Sequence, residues 1–260
     1  MRYFFEIAYN GAPYNGWQSQ NNATGVQAVL ERVLSTAFRE PIEVVGSGRT
    51  DTGVHCEQQF FHADISRPFS PQDMMHKLNA FLPKDIAIGS IRPVRSDAHA
   101  RYSALSRTYQ YRITRRKNPF LEGLALYFFK PVDIQTLNTA ASLLLGKQDF
   151  ESFSKVNTDV NHFLCDITRA EWQEKGDLLE FTITANRFLR GMVRATVGTL
   201  LDVGTGRISL DDLRAILLSR DRRKAGANVP PQGLYLVRVE YPEDVFINLP
   251  EHSGETPAHA

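Results

Sequence analysis

An α+β fold of two ferredoxin-like halves, each with an antiparallel sheet and the two sheets meeting at mid-chain, is what the order of elements predicts. Three observations carry it. Strand-like and helix-like periodicities over residues 2–92 run β-α-β-β-α-β. A similar order returns between residues 108 and 241, without any visible sequence repeat. No long flexible linker separates the two series. The boundary is placed near Ser103 to Ser106, giving halves of 1–105 and 106–245 and a tail of 246–260 that is expected to fray.

Arg2 to Tyr9 is rich in aromatic and β-favouring residues and stops at the turn pair Asn10-Gly11, so it reads as a strand. Thr24-Gly25-Val26-Gln27 has capping-box spacing, and Val26, Val29, Leu30, Val33, Leu34 and Ala37 fall on one helical face before Pro41. Ile42 to Ser47 and Gln58 to Ile65 flank a glycine-rich loop as two strands. Ser70-Pro71 supplies a cap and a first-turn proline for a helix carrying Met75, Leu78 and Leu82, and Ile86 to Arg92 is the next strand. In the second half, strands are expected at Thr108 to Thr114, Ala125 to Phe129, Arg169 to Glu174, Leu178 to Thr184 and Tyr235 to Tyr241. Helices are expected at Ile134 to Leu145 and Phe188 to Val203, the latter closed by Gly204-Thr205-Gly206.

With 260 residues, 42% of them hydrophobic, the chain can bury a sizeable core. Thirty Lys and Arg against 29 Asp and Glu leave a net charge of +1, so overall charge does not signal a polyanion partner. Its distribution does. From Arg101 to Lys117 there are six cations and no carboxylate, and two more clusters follow, Arg187/Arg190/Arg194 and Arg220/Arg222/Arg223/Lys224. Two cysteines, Cys56 and Cys165, exclude a disulfide framework and paired Cys-x-x-Cys zinc hooks, which points to a reducing compartment. An acidic residue interrupts the amino terminus early and no apolar run approaches the ~20 residues of a membrane span. A soluble, cytoplasmic protein is expected.

The segment Val45-Gly46-Ser47-Gly48-Arg49-Thr50-Asp51-Thr52-Gly53-Val54-His55 runs a strand into a loop that sets one carboxylate beside one guanidinium. Glycines permit positive φ and close approach to a ligand, and Arg49 favours the charged form of Asp51, a potential nucleophile; a plain surface turn is the alternative. Asp51-Thr52-Gly53 also spells the aspartic-protease triplet. It occurs once, and a neighbouring arginine opposes the shared proton such a dyad needs. Asp51, His55, His62 and Asp64 offer metal-ligand chemistry, but strand alternation puts His62 and Asp64 on the solvent side, where a histidine is ordinarily solvated or bonded to backbone; His55 stays open. Tyr109 and Tyr111 share one strand face with Arg112 on the other, which suits either a base-stacking platform or ordinary half-buried sheet residues, the second being preferred for Tyr111. Arg190 and Arg194, four apart on the expected helix, are read as snorkelling residues or as a phosphate clamp and partner of Asp51.

Gly-Arg-Thr-Asp-Thr-Gly-Val-His at 48–55, Leu78-Asn79-Ala80-Phe81-Leu82-Pro83, Arg107-Thr108-Tyr109-Gln110-Tyr111, the stretch Phe188 to Gly198 and Gly233-Leu234-Tyr235-Leu236, in that order, resemble the tRNA pseudouridine synthase A (TruA) family over residues 2–241. The signature departs at Thr52 and Cys56, where the family most often has alanine; neither change removes a reactive group, and both are expected to tune packing beneath the loop. The resemblance implies the pseudouridine synthase fold, with a mixed central sheet and helices on one side. It implies a cofactor-free, metal-free homodimer that isomerises uridine in the tRNA anticodon stem-loop at positions 38 to 40. By motif, Asp51 matches the catalytic aspartate, Tyr109 the aromatic residue against the target base, Arg49 the loop arginine that engages RNA, and Arg194 the basic partner of the aspartate.

Converting an N-glycoside into a C-glycoside requires the base to leave the stack, detach, turn and reattach in a pocket that excludes water. Asp51 can add to the base, add to the ribose, or deprotonate the ribose, and the residues do not choose among these. A sheet-based RNA-binding module without catalysis is the competing reading.

Overall fold

The structure, a computed structural model, describes residues 1–18, 23–156 and 160–247. Its strands are β1 (Arg2–Tyr9), β2 (Val45–Gly46), β3 (His55–Asp64), β4 (Ile86–Pro93), β5 (Ser106–Thr114), β6 (Leu126–Tyr127), β7 (Gly146–Asp149), β8 (Leu164–Lys175), β9 (Leu178–Ala185) and β10 (Leu234–Glu240). Its helices are α1 (Val26–Phe38), α2 (Pro71–Phe81), α3 (Ile134–Ser142), α4 (Met192–Gly204) and α5 (Leu210–Ser219). All ten strands form one mixed sheet in the order β4-β1-β3-β10-β5-β9-β8-β7, with β2 paired to β3 and β6 to β5.

The junction between halves is short. β10 pairs in parallel with β3 through Tyr235↔His55 and Leu236↔Cys56, and antiparallel with β5 through Leu234↔Tyr111 and Leu236↔Tyr109. The last strand of the chain is therefore inserted between the two series. Cross-strand partners share a face, so Cys56, Leu236 and Tyr109 look the same way, towards the helices. On that face Phe5 stacks on Phe61 at 4.8 Å, and both are fully buried together with α1 residues Leu30 and Leu34. In the second half Tyr111, Phe181 and Ile183 are covered by Met192, Val197 and Leu200 of α4.

Several elements differ from expectation for local reasons. Thr24 makes no capping box. Gly25, which has no side chain to cap with, is the N-cap of α1, and the carbonyls of Gly16 and Trp17 accept from the Val26 and Gln27 amides instead, at 3.1 and 2.9 Å. The expected strand 42–47 shrinks to β2, since the Ile42 and Val44 amides donate to Ser35 Oγ and Glu31 Oε1 of α1 instead of to a neighbouring strand. α4 begins at Met192 rather than Phe188. Gly191, at φ +72°, turns the chain just before it. α5 was not expected; a reciprocal capping box between Ser209 and Asp212 opens it. β7 was also not expected. Within the tail, Phe246 lies under the Arg92 guanidinium at 3.5 Å and Ile247 N donates to Pro93 O at 3.0 Å, while residues 248–260 fall outside the described residues.

Candidate active site

The loop between β2 and β3 is held by the segment that follows β1 and by a turn of its own backbone. Trp17 N donates to Thr50 O at 3.3 Å, Gly53 N to Tyr14 O at 3.2 Å and Val54 N to Asp51 O at 3.2 Å. Gly16, at φ +78°, lies so close that a Cβ there would stand 2.2 Å from Thr50 O. Beneath the loop a buried chain of hydrogen bonds runs Thr50 Oγ1 to Tyr9 OH (2.8 Å), Tyr9 OH to Gln59 Oε1 (3.4 Å) and Gln59 Nε2 to Gly48 O (3.2 Å). Gly48 and Thr50 are thus fixed from below, and Arg49 and Asp51 between and beside them project outwards.

Asp51 is partly buried, its side chain 31% exposed, and two guanidiniums face it. Arg194, in the first turn of α4, places Nη1 3.5 Å from Oδ2, and its side chain is 19% exposed. Its Nε donates to Val229 O at 2.7 Å while Val229 N donates to Arg194 O at 3.2 Å, a reciprocal pair that sets the guanidinium's position. Arg190 places Nε 4.0 Å from Oδ1. The two arginines reach one carboxylate although they do not share a helix face, a correction to the expected i,i+4 pair.

Tyr109 rises from β5 on the same side of the sheet as Asp51 and packs edge-to-face on Phe188 at 5.1 Å. Burial, then the neighbouring Cys56, raises its phenol above the ordinary tyrosine range, with Asp51 adding to this and Arg107 opposing it. The ring is therefore a neutral, half-buried aromatic surface that feels the Asp51 charge. Arg49 is exposed and makes no ion pair or hydrogen bond among the described residues, so Asp51's cations come from the second half and not from its sequence neighbour.

Other expected site features resolve differently. Tyr111 is fully buried and donates to Pro230 O at 2.7 Å. An open stacking platform is absent there, because helices cover the face that both tyrosines share. His62 is buried rather than solvent-facing; its Nδ1 accepts from Ala100 N at 3.1 Å. His55 Nδ1 accepts from Gly11 N at 3.1 Å, leaving Nε2–H to meet Gly123 O at 2.9 Å, and the ring stacks on Tyr235. No group of three or more His, Cys, Asp or Glu that could hold a metal occurs among the described residues. Thr52 is exposed and so packs nothing beneath the loop, whereas Cys56 is buried under it.

The basic clusters are largely engaged with protein. Arg107 turns inward and donates to the carbonyls of Ala104 (3.1 Å), Asn186 (2.9 Å), Ser47 (3.2 Å) and Arg101, clamping the start of the Asp51 loop to β5 and the end of β9. Arg112 pairs with Glu57 at 2.6 Å on the opposite face, Arg220 with Asp149 at 3.2 Å and Arg223 with Asp221 at 2.8 Å. Sequence reasoning passed over Tyr9, Gln59 and Val229. The one signal available was a glutamine placed beside Phe60 and Phe61 in an apolar strand.

A family profile described as tRNA pseudouridine synthase matches residues 7–103 and 140–242. The chain is 48% identical over 250 residues to tRNA pseudouridine synthase A of Porphyromonas gingivalis, covering 95% of this chain and 99% of the relative. Proteins of the same name from Parabacteroides distasonis and Bacteroides fragilis are 46% and 45% identical over 246 and 248 residues, with 94% and 95% of this chain and 98% of each relative covered. A chain in the crystal structure of a Cbf5-Nop10-Gar1 complex aligns with 90% of this chain and 57% of its own length at TM-score 0.37 and 9% identity. A loop carboxylate faced by two arginines on a ten-stranded mixed sheet is the arrangement the structure presents. The sequence matches give its class: the chain belongs to the tRNA pseudouridine synthase A family.

Proposed function

We propose that the protein isomerises uridine to pseudouridine in the tRNA anticodon stem-loop, at positions 38 to 40. Residues 1–105 supply the catalytic Asp51 loop with Arg49, and residues 106–245 supply Tyr109 and Arg194. The observation that carries this reading is that Arg194 faces Asp51 where the halves meet, with Tyr109 near enough for the Asp51 charge to act on its phenol, a set of groups able to hold a flipped nucleotide. The isomerisation breaks the bond from C1′ to N1, forms one from C1′ to C5, moves the C5 proton away and leaves N1 protonated. Nothing is oxidised or reduced, so the chemistry asks for a charged carboxylate and a place for the base to turn rather than for a cofactor.

Arg194 offers Asp51 a fixed positive neighbour 3.5 Å from Oδ2. Tyr109 presents a ring face or edge to uracil as it rotates. Arg49, exposed and unpaired beside Asp51, is placed to contact the RNA backbone. The working unit is a cytoplasmic homodimer, a reading that follows the family likeness. Chemical or mass-spectrometric mapping of tRNA treated with purified protein tests the reading. Pseudouridine at positions 38 to 40 is expected; none, or product elsewhere only, contradicts it.

A further inference from the structure

We propose that Arg190 is a hand-over residue: it rests against Asp51 in the free protein and moves onto an RNA phosphodiester flanking the flipped uridine when substrate binds. This rests on the reading above and adds a substrate contact to it.

Two guanidiniums face one carboxylate, so the cleft holds one surplus positive charge. The two are not equivalent. Arg194 is clamped to Val229 and mostly shielded. Arg190 lies outside α4, its side chain 62% exposed and its Nε at the 4.0 Å limit of an ion pair, with no hydrogen bond to its guanidinium among the described residues. Its backbone is anchored all the same: Arg190 O accepts from Lys155 N at 2.9 Å, and Met192 N donates to Leu189 O at 3.1 Å. The root of this side chain is fixed and its tip is free.

An exposed pair at that distance is weak. A phosphodiester offers a guanidinium two charged oxygens and a bidentate contact. When a ribose sits over Asp51, both phosphates esterified to it come within the length of an arginine side chain. Transfer of Arg190 to one of them lets its charge serve RNA binding and clears the solvent side of Asp51 for the ribose or base, while Arg194 stays behind as the carboxylate's partner.

The test compares wild type, Arg190→Ala and Arg190→Lys on an anticodon stem-loop RNA, intact or with a single methylphosphonate on either side of the target uridine. For Arg190→Ala, kcat/KM is expected to fall roughly tenfold, mainly through KM, and the plot of log affinity against log salt to become shallower by about 0.7 to 0.9, one phosphate contact. Arg190→Lys is expected to keep the slope. At one of the two methylphosphonate positions wild type should lose what Arg190→Ala loses, and the variant should lose nothing further. An unchanged salt slope, additive losses at both positions, or a fall in kcat alone would overturn the proposal. If wild type bound this RNA but made no pseudouridine, the functional reading would fail, and the salt slopes would still decide the phosphate contact.

Discussion

Arg194 Nη1 lies 3.5 Å from Asp51 Oδ2 while the same side chain's Nε donates to Val229 O at 2.7 Å. One guanidinium thus ties a loop of the first half to α4 and to the segment that leads into β10. Arg194→Ala removes the fixed cation and leaves the exposed Arg190 as the remaining partner. A loss of about a hundredfold in single-turnover rate is expected, the size seen when one preorganised electrostatic partner is deleted, with tRNA affinity reduced far less. Arg194→Lys, which cannot donate to Val229 O and face Asp51 in the same fork, should recover only part. Equal losses in rate and affinity would show that Arg194 acts chiefly in binding.

The Thr50, Tyr9, Gln59 and Gly48 chain supports the Asp51 loop from beneath. Tyr9→Phe removes the central hydroxyl and leaves the Thr50 hydroxyl and the Gln59 carbonyl without it in a dry site. A cost of about 1–3 kcal/mol is expected, read as a lower denaturant midpoint with unchanged m, together with slower turnover. Full stability with normal turnover would mean that the loop is positioned from above alone.

Much of the fold is legible along the chain because the aromatic and β-branched runs of β1, β9 and β10 and the apolar stripe of α1 are local signals. The differences arise where distant backbone satisfies local groups. The α1 amides that Thr24 would cap are taken by Gly16 and Trp17, and no spacing rule sees that. The helical reading of residues 188–203 overlooked Gly191 as a left-handed N-cap, so Arg190 was placed on a helix it precedes. α5 lies outside the expected elements although its cap is local, at Ser209 and Asp212. In the site, Asp51 stands out through its glycine-marked loop, but its cations lie about 140 residues away in sequence, a pairing that only tertiary structure or a family motif supplies. Arg107 misled in the other direction: a cation in a basic stretch proved to be an internal clamp on four carbonyls.

His62 adds a pH dependence that does not involve the cleft. Burial, followed by the neighbouring Arg2 and His99, pushes its imidazole from 6.5 down to about 4, with Asp64 opposing. The unfolded chain takes up a proton below about 6.5 that the folded protein refuses until about pH 4. The associated stability is complete above pH 6.5 and is lost as pH falls to about 4, on the order of 3 kcal/mol in all. His62→Asn keeps an acceptor for Ala100 N but cannot titrate, so urea midpoints should fall less steeply between pH 6.5 and 4 than in wild type. Parallel curves would assign the acid sensitivity to other groups.

Asp51 is the group on which the functional reading turns. Asp51→Asn preserves size while deleting the charge that faces Arg194. The most direct measurement is pseudouridine formed at tRNA positions 38 to 40 by this variant, present in excess over tRNA for hours, beside its tRNA affinity. Near-normal binding without product is the expected result; appreciable pseudouridine from the variant would contradict a catalytic role for that carboxylate.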